Sequence, residues 1–120
     1  MRAIKRILLY VSLTFLTLVI VLSCSTSSFF YVPRKELGSL PDSSRYKYEQ
    51  IRFASANGKI LDGWFFHPKG RVKGTVLQLH GNGGNISYQY QFAMPLVDSG
   101  FQVMVFDYQG YGRSQGSPSQ

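Results

Sequence analysis

The 120-residue chain carries thirteen Lys and Arg against six Asp and Glu, a formal charge of +7, with 44% hydrophobic and 15% aromatic residues. That composition excludes a disordered polar chain, and a single cysteine, Cys24, excludes an intramolecular disulfide or a cysteine metal cluster. Nucleic acid is not the expected partner: Arg2, Lys5 and Arg6 precede an apolar run, and the other ten basic residues are scattered from Arg34 to Arg113 without forming a stripe. No cofactor or metal ion is expected either.

The chain opens with Arg2, Lys5 and Arg6 followed by Ile7 to Leu22, sixteen residues without a charge. This order is that of an export signal or a membrane anchor. Sixteen helical residues span about 24 Å, short of the roughly 30 Å hydrocarbon core, which favours the signal. Val21-Leu22-Ser23-Cys24 resembles the bacterial lipobox, in which the cysteine becomes the lipid-modified first residue, so residues 1–24 are expected as a signal peptide or an uncleaved anchor. A buried core helix is the plainer reading, and three basic residues ahead of a segment with no polar face count against it. Both membrane readings put the domain on the extracytoplasmic side of a bacterial membrane, with lipid as a partner of the N-terminus.

Residues 25–47, rich in Ser and Pro, read as a tether. Within it Phe29-Phe30-Tyr31-Val32 forms an apolar island, expected to pack on the domain edge, with a seat at the membrane interface as the alternative. Tyr48 to Phe53 and Ile60 to Phe66 are rich in strand formers and flank Asn57-Gly58, a hairpin turn dipeptide. Thr75 to Leu79 is a short apolar run of the kind buried on both faces of a sheet. Ser87 to Ser99 has apolar residues near helical spacing, with Pro95 weakening its middle and Gly100 placed to close it. Phe101 to Phe106 is a further strand. Hairpin, strand, helix and strand imply an α/β fold whose sheet begins antiparallel and becomes parallel.

Between the third strand and the helix lies His80-Gly81-Asn82-Gly83-Gly84-Asn85. Open α/β sheets place their sites at this end of a strand, and glycines there let a substrate oxygen approach backbone N–H groups, as an oxyanion hole requires. After the fourth strand comes Asp107-Tyr108-Gln109-Gly110-Tyr111-Gly112-Arg113-Ser114. The two motifs, in this order and spacing, resemble the α/β-hydrolase superfamily, and most of all its membrane-anchored members with a His-Gly-Asn-x-Gly-Asn loop and Asp-Tyr-Arg-Gly-x-Gly-x-Ser after the next strand. Gln109 stands where that pattern has Arg.

The resemblance, which covers Tyr48 to the end, implies an incomplete α/β-hydrolase fold in residues 48–120. It also implies that the backbone N–H of Asn82 is the first oxyanion donor, with His80 and Gly81 shaping the loop. The nucleophile, acid and base are absent. In this superfamily they follow in the order nucleophile, acid, histidine, whereas His67 and His80 both precede any candidate nucleophile. His67 is expected to be an exposed loop residue and Asp107 a structural one. Gly112-Arg113-Ser114-Gln115-Gly116 satisfies Gly-x-Ser-x-Gly, but a nucleophile elbow follows a buried strand directly and opens a helix, so Ser114 is read as a loop residue.

Two functions follow. One is the N-terminal fragment of a membrane-associated serine hydrolase of esters, thioesters or amides, inactive alone, whose complete form takes a small-molecule or acyl substrate. The other is a non-catalytic membrane-tethered protein, or truncated gene product, of hydrolase ancestry. The last strand is expected to expose an unpaired edge, which weighs against a stable monomeric module.

Overall fold

The computed structural model describes residues 2–118, leaving aside the side chains of Arg2 and of residues 24–30. Two compact units follow one another, residues 1–30 and residues 31–120. The first is a single helix, α1, Arg2–Phe30. Its segment Ala3–Ser23 has a mean hydropathy of 2.1 over 21 residues, which at 1.5 Å per residue is about 32 Å. The helix is therefore long and apolar enough to cross a membrane, where the uncharged run alone falls short. Ile7, Leu8, Leu16 and Leu22 are each more than half exposed. The side chains of Cys24, Phe29 and Phe30, on which the lipid attachment and half of the aromatic island depend, lie outside the described residues.

The second unit contains β1 (Val32–Pro33), β2 (Lys47–Ala54), β3 (Ile60–His67), β4 (Gly74–Gln78), β5 (Gly83–Gly84), α2 (Ile86–Gln89), α3 (Met94–Asp98) and β6 (Phe101–Phe106), with a 3₁₀ turn at Tyr90–Ala93 between the helices. A four-stranded sheet has the order β2-β3-β6-β4. Its first two pairings are antiparallel and the β6–β4 pairing is parallel, the mixed sheet expected of an α/β fold. The β2–β3 turn closes through Gly58, at φ +77°, and by Ser55 N–H donating to the Lys59 carbonyl at 2.8 Å.

Alternation along the strands decides which face is covered. Trp64 and Phe66 of β3 and Val103 and Val105 of β6 are buried against Ile86, Tyr90, Ala93, Met94 and Val97 from the helical layer. The rings of Trp64 and Tyr90 meet edge to face at 5.5 Å. The expected single helix is divided into α2, the 3₁₀ turn and α3. Pro95 sits in the first turn of α3, where its missing N–H breaks no intrahelical bond. Gly100, at φ +98°, donates to the Val97 carbonyl and ends the layer.

Two expectations about the sheet are corrected. The run Thr75 to Leu79 is not buried on both faces: β4 is an outer strand with the burial of a half-covered one, and Leu77 and Leu79 are more than half exposed. The last strand has no free edge, because the crossover inserts β6 between β3 and β4. The unpaired edges of this sheet belong to β4 and β2. His67 stands at a strand end as its place before Pro68 suggests, but as the last residue of β3 and half-buried rather than an exposed loop residue, paired with Glu49 at 3.0 Å.

Candidate active site

The loop from His80 to Asn85 leaves the end of β4, and the turn from Asp107 to Ser114 leaves the end of the neighbouring parallel strand β6. Parallel neighbours end on the same side, so the two sequence motifs meet. His80 is the centre of the contact. It is buried, its ring stacks on Tyr108 with centroids 4.3 Å apart, and the Tyr111 ring stands edge-on at 5.2 Å. The Tyr108 hydroxyl donates to the His80 carbonyl at 2.8 Å and the Tyr111 hydroxyl to the Asn82 carbonyl at 2.7 Å.

Burial pushes both phenols above their ordinary value of 10.0, aided at Tyr111 by the neighbouring Tyr31 and Tyr108. Both are therefore protonated donors at neutral pH. Because their folded values are raised, their stabilisation is complete below about pH 10 and is lost as pH climbs through the raised values. In an ultraviolet phenolate titration of the eight tyrosines, replacing Tyr108 and Tyr111 together by Phe removes the latest-ionising part of the curve. A loss of amplitude spread evenly along the curve, or drawn from its early part, contradicts this assignment.

His80 Nδ1 lies 2.7 Å from the Gly81 carbonyl oxygen. A carbonyl only accepts, so Nδ1 carries the proton and donates. The Gly81–Asn82 peptide is planar and trans, and in such a unit the N–H points opposite to the C=O. The bond that draws the Gly81 carbonyl to the imidazole therefore turns the Asn82 N–H away from it. Gln89 braces the same loop from α2, its Oε1 accepting from Gly81 N–H at 2.9 Å and its Nε2 donating to the Gly83 carbonyl at 2.8 Å. Nothing in the sequence singled out Gln89.

His80 Nε2 is 3.3 Å from Asp107 Oδ1, without the alignment of a hydrogen bond. Asp107 is fully buried, and the same oxygen accepts from Ile86 N–H at 2.8 Å, capping the first turn of α2. Gly112, at φ +45°, lies against this carboxylate, and a Cβ there would collide with it. Ser114 is buried, and its hydroxyl donates to the Asp107 carbonyl at 2.6 Å and accepts from Asp62 N–H at 2.9 Å. Both capacities are spent on the backbone. No non-glycine residue among those described has a positive φ, so Ser114 lacks the strained turn of a nucleophile elbow. Gln109 pairs its amide with that of Asn57, tying the turn to the β2–β3 hairpin.

A groove of about 400 Å³ opens between Tyr31, Leu61, Phe106 and the turn residues Tyr108, Gln109 and Tyr111. It adjoins the site through the two tyrosines, while His80 and Asn82 stand outside its lining. Among the described residues no three His, Cys, Asp or Glu side chains gather as a metal site would need.

A sequence profile described as the alpha/beta hydrolase fold matches residues 74–120, which hold both motifs. The chain carries part of the α/β-hydrolase fold and the signature of that superfamily. The chain is 35% identical over 97 residues to the uncharacterised protein YfhR of Escherichia coli K12, a match that takes in 78% of this chain and 33% of YfhR. It is 33% identical over 85 residues to caffeoylshikimate esterase of Arabidopsis thaliana, covering 66% of this chain and 26% of that protein. Among solved structures, the esterase Pf2001 of Pyrococcus furiosus superposes with a TM-score of 0.58 at 19% identity over 74% of this chain and 35% of that one, a likeness of fold. The chain spans about a third of the length of the curated relatives it matches.

Proposed function

We propose that this chain supplies the oxyanion loop of a membrane-associated serine hydrolase acting on a small acyl substrate, an ester, thioester or amide, and forms the N-terminal part of that enzyme. The observation that carries the reading is the His80 Nδ1 bond to the Gly81 carbonyl at 2.7 Å at the end of a sheet strand, from which a trans peptide turns the Asn82 N–H away from the imidazole. In this role the Asn82 N–H donates to the oxyanion of the tetrahedral intermediate, and His80 and Gly81 shape the loop. One such donor contributes about 3 kcal/mol of transition-state stabilisation. The nucleophile, acid and base come from outside these residues. The likeness to an esterase favours an ester, and the apolar α1 supports membrane association; the proposal places the domain on the extracytoplasmic side of a bacterial membrane, held by lipidated Cys24 or an uncleaved span.

Residues 1–120 alone are expected to hydrolyse p-nitrophenyl esters no faster than buffer, with Ser114→Ala making no difference. Turnover that vanishes in Ser114→Ala would return the nucleophile to Ser114 and defeat the proposal.

A further inference from the structure

The stretch from Tyr31 to Gly38 lies within the segment read as a tether, yet its backbone is bonded to the oxyanion loop and to the turn that braces it. Val32 and Pro33 pair with Gly83 and Gly84 as β1 and β5. Arg34 N–H donates to the Gly84 carbonyl at 3.1 Å, and the Arg34 carbonyl accepts from Gly112 N–H at 2.8 Å and from Asn85 Nδ2 at 3.0 Å. The second Nδ2 hydrogen of Asn85 goes to the Glu36 carbonyl at 2.8 Å, and Gly38 N–H donates to Ser87 Oγ at 2.6 Å. Gly38 also lies close under the Tyr88 ring, where a Cβ would come within 2.8 Å of a ring carbon.

A loop made of glycines cannot fix its own backbone, because it has no side chains to pack and loses more conformational freedom on ordering than any other sequence. Something outside the loop must hold Gly83 and Gly84. The sheet does not hold them, since neither residue belongs to the four-stranded sheet.

We infer that Tyr31–Gly38 is a strap that positions the oxyanion loop, with Asn85 as its clasp. Asn85 is fully buried and caps α2. Its Oδ1 accepts from Ser87 N–H and Ser87 Oγ while both Nδ2 hydrogens go to the strap, so one amide joins strap, loop and helix. The strap and Asn85 are positioning elements rather than catalytic residues. The inference rests on the oxyanion reading for its functional meaning, and on geometry alone for its structural content.

Hydrogen exchange on the full 120-residue chain in detergent micelles tests it, comparing the wild type with Gly38→Val and Asn85→Asp. Gly38→Val pushes the strap off Tyr88 and leaves every loop residue unchanged. Asn85→Asp keeps the Oδ1 acceptor for Ser87 and removes both donors to the strap. The expected result in each is at least tenfold faster exchange at the amides of residues 81–85, with Val103 to Val105 of β6 unchanged and the thermal midpoint within a few degrees of the wild type. Should Asn85→Asp fail to fold, Gly38→Val alone decides. Loop exchange within twofold of the wild type, or equal acceleration in the loop and β6, would overturn the strap; the latter would mark a merely structural role. Exchange reports backbone order and not turnover, so failure of the oxyanion reading is seen separately, in the kinetics of Asn82 variants.

Discussion

Replacing Asp107 by Ala is expected to lower the stability of the domain by about 1–3 kcal/mol, chiefly through one buried hydrogen bond. The Ile86 N–H at the start of α2 loses its acceptor at 2.8 Å. That N–H, on a residue only 1% exposed, is then left buried without this partner, at a cost of about 1–3 kcal/mol. The imidazole of His80, 3.3 Å away, also loses the group that faces it. Domains of this size have a total stability on the order of 5–15 kcal/mol, so the variant is expected to unfold at lower denaturant concentration with an unchanged m-value. Asp107→Asn keeps an acceptor oxygen for Ile86 and should lose clearly less. Equal denaturation midpoints for Asp107→Ala and the wild type would show that the Asp107–Ile86 bond does not hold the helix to the turn.

Asp107 also shows how far the sequence could be read. The strands were legible because β2, β3 and β6 are dense in β-branched and aromatic residues and bounded by turn residues such as Asn57-Gly58, whose local chemistry suffices to end a strand. Thr75 to Leu79 misleads because an apolar run records what a strand is suited to face, whereas its burial depends on how many layers cover it; Leu77 and Leu79 have a helical layer on the other face only. Strand order was illegible for a similar reason. The insertion of β6 between β3 and β4 follows from the crossover, which no local pattern encodes.

In the site, the glycines and His80 were visible as a motif, but the reason for coupling that motif to the one after β6 was not. The coupling runs through tyrosine hydroxyls onto main-chain carbonyls, and the acceptors leave no trace in residue identity. The strap was hidden for the same cause. Arg34 and Glu36 contribute carbonyl oxygens to Asn85, and any residue carries one. The Ser- and Pro-rich sequence on either side of the strap describes chain flexibility before docking, not the bonds made after it.

The expected result that bears most on function is a separation of Asn82→Pro from Asn82→Ala. Residues 1–120 joined to the remaining two thirds of YfhR would supply the strands that the match leaves out. Alanine keeps the backbone N–H and removes only the side chain, whose Oδ1 accepts from the Tyr111 hydroxyl at 3.2 Å beside the stronger bond to the carbonyl. Proline removes the N–H itself, and Gly81 before it has the conformational latitude to precede a proline. If that N–H stabilises the oxyanion, Asn82→Pro lowers kcat by roughly 10²–10³-fold while KM changes little, because the donor acts on charge that develops only in the transition state. Asn82→Ala should retain at least about a third of the wild-type kcat by the same reasoning. An Asn82→Pro chimera with the wild-type thermal midpoint and undiminished kcat would remove Asn82 from the oxyanion hole, and equal losses in both variants would move the effect from the backbone donor to the side chain.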